Sequence, residues 1–104
     1  MTRKLSDIAK DAKIMEEECG INADAVLNKL TQELGEFNDA VQKLRGIYSK
    51  SAGSKEHVEE ETGDLIFNFI SVLYELGINP DNLPLYAENT LKKFQERKEL
   101  YKRK

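Results

Sequence analysis

Residues 55–76 read KEHVEEETGDLIFNFISVLYEL, and this stretch decides the fold. Val58, Leu65, Phe69, Val72 and Leu76 recur at three-four spacing, the period of an amphipathic helix rather than a strand. Ser54 precedes the run as an N-cap, and Gly77 follows it as a stop. With Glu61 at zero on a helical wheel, these apolar residues fall between about +20° and +80°. Asn68 then lies at about −20° and Asp64 at about −60°.

The segment before it repeats the pattern. Residues 23–44 form a second long helix, with Val26, Leu30, Phe37, Val41 and Leu44 between about +20° and +80° of Glu33. Ala40 falls at about −20° and Glu36 at about −60°, with Lys29 in the same sector one turn before Glu33. Each helix thus has an apolar stripe flanked on the same side by two acids at i and i+3. Glu59, Glu60 and Asp39 point elsewhere.

The rest of the chain is punctuated by Gly20-Ile21-Asn22, by the small and polar residues 46–54, and by residues 77–84 with both prolines. These breaks divide it into four helical segments: 3–18, 23–44, 55–76 and 83–101. In the first, Leu5, Ile8, Ala9, Ala12 and Met15 form the apolar stripe. No period-two run marks a strand. The expected fold is all-α, a single domain over 1–104 resembling a four-helix bundle with the second and third helices as its central pair. A chain of 104 residues buries only a modest core, so an oligomer is expected.

A net charge of −3 lacks the footprint of a duplex nucleic-acid binder. Lys98, Lys102, Arg103 and Lys104 read as a solvated helix end. No stretch has the apolar length of a membrane span, and the start has no apolar leader, which points to the cytoplasm. One cysteine and one histidine exclude an internal disulfide and a structural zinc site within one chain. Cys19 reads as a small, partly buried residue.

Four carboxylates drawn to one helix seam repel each other and need a cation. Oxygen-only ligands suit Mg²⁺, with Mn²⁺ as a substitute. A di-iron site would place histidine three residues after a glutamate, where this chain has Glu36 and Asp64. The competing reading is that the acids face solvent and pair with lysines.

Glu33-Leu34-Gly35-Glu36, followed by Glu61-Thr62-Gly63-Asp64-Leu65-Ile66-Phe67, resembles the E-x-x-E … E-x-x-D signature of MazG-like proteins. These belong to the all-α nucleoside triphosphate pyrophosphohydrolases. Lys29-Leu30, Ala40 and Leu76-Gly77-Ile78 resemble the flanks, and Lys93-Phe94 with Arg97 resembles the family's K-F-x-x-R ending. Gln32 and Leu91 depart from the commoner pattern. Residues 45–54 lack the serine-tyrosine pattern of the phosphoribosyl-ATP branch.

The resemblance implies a MazG-type fold assembled as a homodimer or homotetramer. It implies hydrolysis of a nucleoside triphosphate to monophosphate and pyrophosphate, with housecleaning of nucleotide pools as one role. Glu33, Glu36, Glu61 and Asp64 would hold Mg²⁺, and Glu33 or Glu36 would orient or deprotonate the water. Lys93 and Arg97, with Lys29 or Lys50, would balance the triphosphate. Asn68 would bond a base or sugar, or support the acids. Tyr48 is a candidate for stacking on a base, and His57 reads as a solvent-facing residue of the first helical turn. The alternative is a non-catalytic helical oligomer that binds a nucleotide or a protein partner.

Overall fold

The computed structural model describes residues 2–47 and 52–102. It contains α1 (Leu5–Glu18), α2 (Ala23–Arg45), α3 (Lys55–Glu75), a 3₁₀ turn (Pro80–Asn82), α4 (Leu83–Glu96) and α5 (Lys98–Lys102). There is no strand among the described residues, so the all-α expectation holds. The caps act as read. Asn22 Oδ1 accepts from Ala25 N at 2.8 Å, and Ser54 Oγ accepts from His57 N at 3.1 Å. The expected last helix divides at Arg97, whose N–H bonds back to the carbonyls of Lys93 and Phe94.

Two glycines set the turns that frame the site. Gly20, at φ +70°, lets Ile21 N bond the Glu16 carbonyl at 2.8 Å, so the chain reverses directly from α1 into α2. Gly77, at φ +75°, does the same for α3, with Ile78 N on the Leu73 carbonyl at 2.9 Å. The chain then enters the 3₁₀ turn, where Asp81 reaches the start of α1. Its oxygens accept from Ser6 N at 3.0 Å and Ser6 Oγ at 2.5 Å. Lys4, at the N-cap of α1, provides no side-chain cap, so Asp81 supplies it from 75 residues away. These Ser6 bonds, side chain first, hold the Asp81 carboxyl below its usual range.

α3 is the middle helix. It packs on α2 along one side and on α1 along another. Its second packed side carries Ile70, 1% exposed, and Ser71. Ala9 and Ala12 of α1 are also buried, as are Val26 and Ala40 of α2. This core is thin, and its members are mostly small.

α4 does not complete the bundle within one chain. Among the described residues it packs closely on the 3₁₀ turn and α5 and on no other element. None of its residues is buried, and Leu91 and Phe94 are more than half exposed. The radius of gyration is 16.9 Å, against about 13 Å for a compact domain of this length.

Candidate metal centre and adjoining cavity

The α2–α3 seam brings three of the four expected acids together. Glu33 from α2 and Glu61 and Asp64 from α3 each offer an oxygen, and these oxygens lie within 4.8 Å of one another. The wheel explains the convergence: each acid flanks the stripe that packs on the facing helix. Glu33 is only 6% exposed, Glu61 is half-buried and Asp64 is exposed. The group therefore grades from the helix interface to solvent.

Two of its oxygens stand out. Glu33 Oε2 and Glu61 Oε2 are buried and have no hydrogen-bond partner. Leaving such atoms unpaired is costly, and native structures rarely do so. Burial, then the charge of Glu36, a carboxyl contact with Glu36 and the charge of Asp64 hold the Glu33 carboxyl above its usual range. Lys29 opposes them, with Nζ 3.9 Å from Glu33 Oε1. Glu61 is pushed up by burial and by the charges of Glu36 and Asp64, with His57 opposing.

Glu36 stands beside this group rather than in its tight centre. It is exposed and accepts from Gln32 Nε2 at 3.2 Å, yet it raises both Glu33 and Glu61. Glu59 and Glu60 are exposed, as expected. Asp39 pairs with Lys43 at 3.0 Å. His57 is half-buried, with Nδ1 3.8 Å from Glu60.

A cavity of about 400 Å³ adjoins the acids, in the trough that α1 and α2 leave over α3. Glu33, Asp64 and Lys29 lie at one part of its lining. Met15, Ile21, Val26 and Phe67 give it apolar wall. Asn68 lines it too, buried, with Nδ2 donating to the Val26 carbonyl at 2.8 Å. A carbonyl only accepts, so the amide must present its NH₂ there, which leaves the Asn68 oxygen as an acceptor. The lining is half apolar and half polar or charged, and the volume is that of a small-molecule site.

No known protein family, curated protein or solved structure matches the chain. A functional reading therefore stands on the residues and their geometry.

Some expected site residues lie elsewhere. Lys93 and Arg97 belong to α4 and its end, which make no contact with α2 or α3, so they are not brought to the acids within one chain. Lys50 and Tyr48 fall outside the described residues. Cys19, the cap residue at the end of α1, is exposed rather than partly buried.

One residue was missed. Glu16, 5% exposed, is buried in α1 and also lines the cavity, whereas Met15 is 44% exposed. Ser71 Oγ lies 2.9 Å from each Glu16 oxygen. The signal was available. Glu16 falls at about −20° from Ala9 on the α1 wheel, in the centre of the stripe, while Met15 falls at about −120°. A count restricted to apolar residues passes over an acid in an apolar register.

Proposed function

We propose that this chain is a MazG-like, Mg²⁺-dependent nucleoside triphosphate pyrophosphohydrolase, acting as a homo-oligomer. The observation that carries the reading is the convergence of Glu33, Glu61 and Asp64, with two buried carboxylate oxygens left without partners. A hard divalent cation fits that donor set, because it satisfies orphaned anionic oxygens and offsets their mutual repulsion. Mn²⁺ suits the same set. Bound there, the ion would neutralise phosphate charge and acidify a water.

The protein's own residues carry the other tasks. Glu33, buried, and Glu61, half-buried, would hold the cation against the seam. Asp64, at the exposed edge, faces the side from which phosphates arrive. Glu36, exposed next to them, is placed to orient or deprotonate the attacking water. Lys29 beside Glu33 adds positive charge at the cavity rim. The cavity receives the nucleoside, with its apolar wall against sugar and base.

Self-association is supported by the uncovered apolar face of α4 and the thin core of the single chain. An assembly would also give Lys93 and Arg97 a route to phosphate that the single chain lacks. No helix among the described residues is long and apolar enough to cross a membrane.

The test is pyrophosphate release from a panel of canonical and modified nucleoside triphosphates, with Mg²⁺ and with EDTA. Release that needs the metal and is abolished in Glu36→Gln and Asp64→Asn is the expected result. A folded protein that binds Mg²⁺ and releases no pyrophosphate from any nucleotide overturns the enzymatic reading in favour of a non-catalytic binding oligomer.

A further inference from the structure

We infer that Lys29 is the resident counter-ion of the acid group, competing with a divalent cation for Glu33 and passing to the phosphates of the substrate once that cation is bound. The inference rests on the metal-centre reading above and deepens it with the regulation of the same site. Metal and triphosphate bind cooperatively, and Lys29 carries the coupling.

Four acids beside one helix seam hold negative charge that something must offset. Among the described residues, Lys29 is the one lysine or arginine that pairs with any of them, its Nζ 3.9 Å from Glu33 Oε1. Lys43, further along the same helix, pairs with Asp39 instead, and His57 pairs with Glu60. The two ends of the Lys29–Glu33 pair differ in freedom. The Glu33 side chain is 8% exposed and held at the helix interface, whereas the Lys29 side chain is 60% exposed. The anion is fixed and the cation can move. A pair of this spacing with an exposed lysine is weak. It also engages one oxygen and leaves Glu33 Oε2 without a partner. Lys29 therefore offsets part of the charge without filling the site.

Lys29 would stand within about 8 Å of a divalent cation held on the same carboxylate, about one Debye length at physiological salt. At that range it is repelled, and Glu33, neutralised by the ion, no longer holds it. Lys29 lines the cavity together with Asp64. Its ammonium is a compact charge on a flexible stem, so it can turn to phosphates that enter there. Each ligand then removes an obstacle to the other. The cation frees Lys29 for the phosphates, and the phosphates take up the charge that opposed the cation. Such a coupling is positive and reciprocal.

The experiment is calorimetric titration of Mn²⁺ alone into wild type, Lys29→Met, Lys29→Arg and Lys43→Met. Inorganic triphosphate is then titrated into each protein saturated with Mn²⁺. Lys29→Met keeps a helix-forming stem and removes the charge. It should bind Mn²⁺ alone about three- to tenfold more tightly and bind triphosphate about tenfold more weakly. Lys29→Arg keeps the charge and should match wild type for Mn²⁺, and Lys43→Met should match it for both ligands. Misfolding would weaken both ligands, so opposite shifts are specific to the exchange. Mn²⁺ affinity that is unchanged or lower in Lys29→Met overturns the inference. So does an equal rise in Lys43→Met, or triphosphate binding that Lys29→Met does not weaken. No Mn²⁺ binding by the wild type is a failure of the metal-centre reading and overturns the inference with it. Opposite shifts in a protein that releases no pyrophosphate from any nucleotide support the role of Lys29 and count against the enzymatic reading alone.

Discussion

Replacing Glu33 by glutamine should stabilise the metal-free protein and remove its response to Mg²⁺. Glu33 is 6% exposed, and its oxygen lies no more than 4.8 Å from one of Asp64. At that distance two unit charges repel by about 0.9 kcal/mol in water and by about 3.5 kcal/mol at an effective dielectric near 20. Asp64 is exposed, so the lower end applies, and relief of about 1 kcal/mol is expected from this pair. The pH dependence has a definite sign. The folded protein holds the Glu33 carboxyl above its usual value of 4.5. Ionisation is therefore penalised in the folded state. The penalty is absent below the unfolded value and grows as pH rises through the folded one. Urea unfolding in EDTA should show Glu33→Gln more stable than wild type at pH 7.5, with the gap closing towards pH 4. Mg²⁺ at a hundred times its dissociation constant should add about 2.7 kcal/mol to the wild type. It should add little to the variant, which has lost a ligand, so the order of stability inverts. A variant that is less stable in EDTA at pH 7.5, or one that gains as much from Mg²⁺ as wild type, would refute the metal-centre reasoning.

Three further outcomes are expected. Ile70→Ala empties the site of the largest fully buried side chain among the described residues, on α3, and should lower unfolding free energy by about 2–4 kcal/mol, read from urea midpoints. Asp81→Asn weakens the cap on α1. Because the Asp81 carboxyl is held below its usual 3.8, its contribution is present above that pH and lost as pH falls through the folded value. The variant's deficit in a thermal melt at pH 6 should therefore shrink as pH falls below 3.8. Phe94→Glu puts a charge into the uncovered face of α4, and sedimentation velocity should find the 11.9 kDa chain monomeric where the wild type is larger.

The helices were legible because their apolar period and their caps are local. Asn22, Ser54, Gly20 and Gly77 act within a few residues of themselves, and a wheel reads Glu33, Glu61 and Asp64 onto one seam. What was not legible depends on distant partners. The contact between Asp81 and Ser6 joins residues 75 apart and leaves no periodic trace. The second packed side of α3, through Ile70 and Ser71, is invisible to a wheel that seeks one stripe. Glu16 was missed because it is the polar member of an apolar register, a position that only its pairing with Ser71 explains. The separation of α4 from α2 and α3 could not be read either, since amphipathicity says that a face will be covered but not by which chain.

That last point links assembly to chemistry. On the α4 wheel, with Ala87 at zero, Leu91 and Phe94 fall at about +40° and −20°, and Arg97 and Lys93 at about −80° and −120°. The cations thus flank one edge of the uncovered apolar face. If that face docks on a second copy, Lys93 and Arg97 come to the rim of the contact, and a single event covers the apolar surface and brings positive charge to the partner's acids. A triphosphate would then meet acids and Lys29 from one chain and Lys93 and Arg97 from another. Mixing two inactive variants tests this directly. Asp64→Asn lacks a metal ligand but keeps its cations, and Arg97→Ala keeps its acids. Each mixed dimer holds one site with intact acids from one chain and an intact Arg97 from the other. After denaturation and refolding at equal concentrations, random pairing should restore about a quarter of wild-type pyrophosphate release. No recovery from a mixture that forms hybrid dimers would mean that Arg97 serves only its own chain, and α4 would then have to fold back onto α2 and α3 in the active protein.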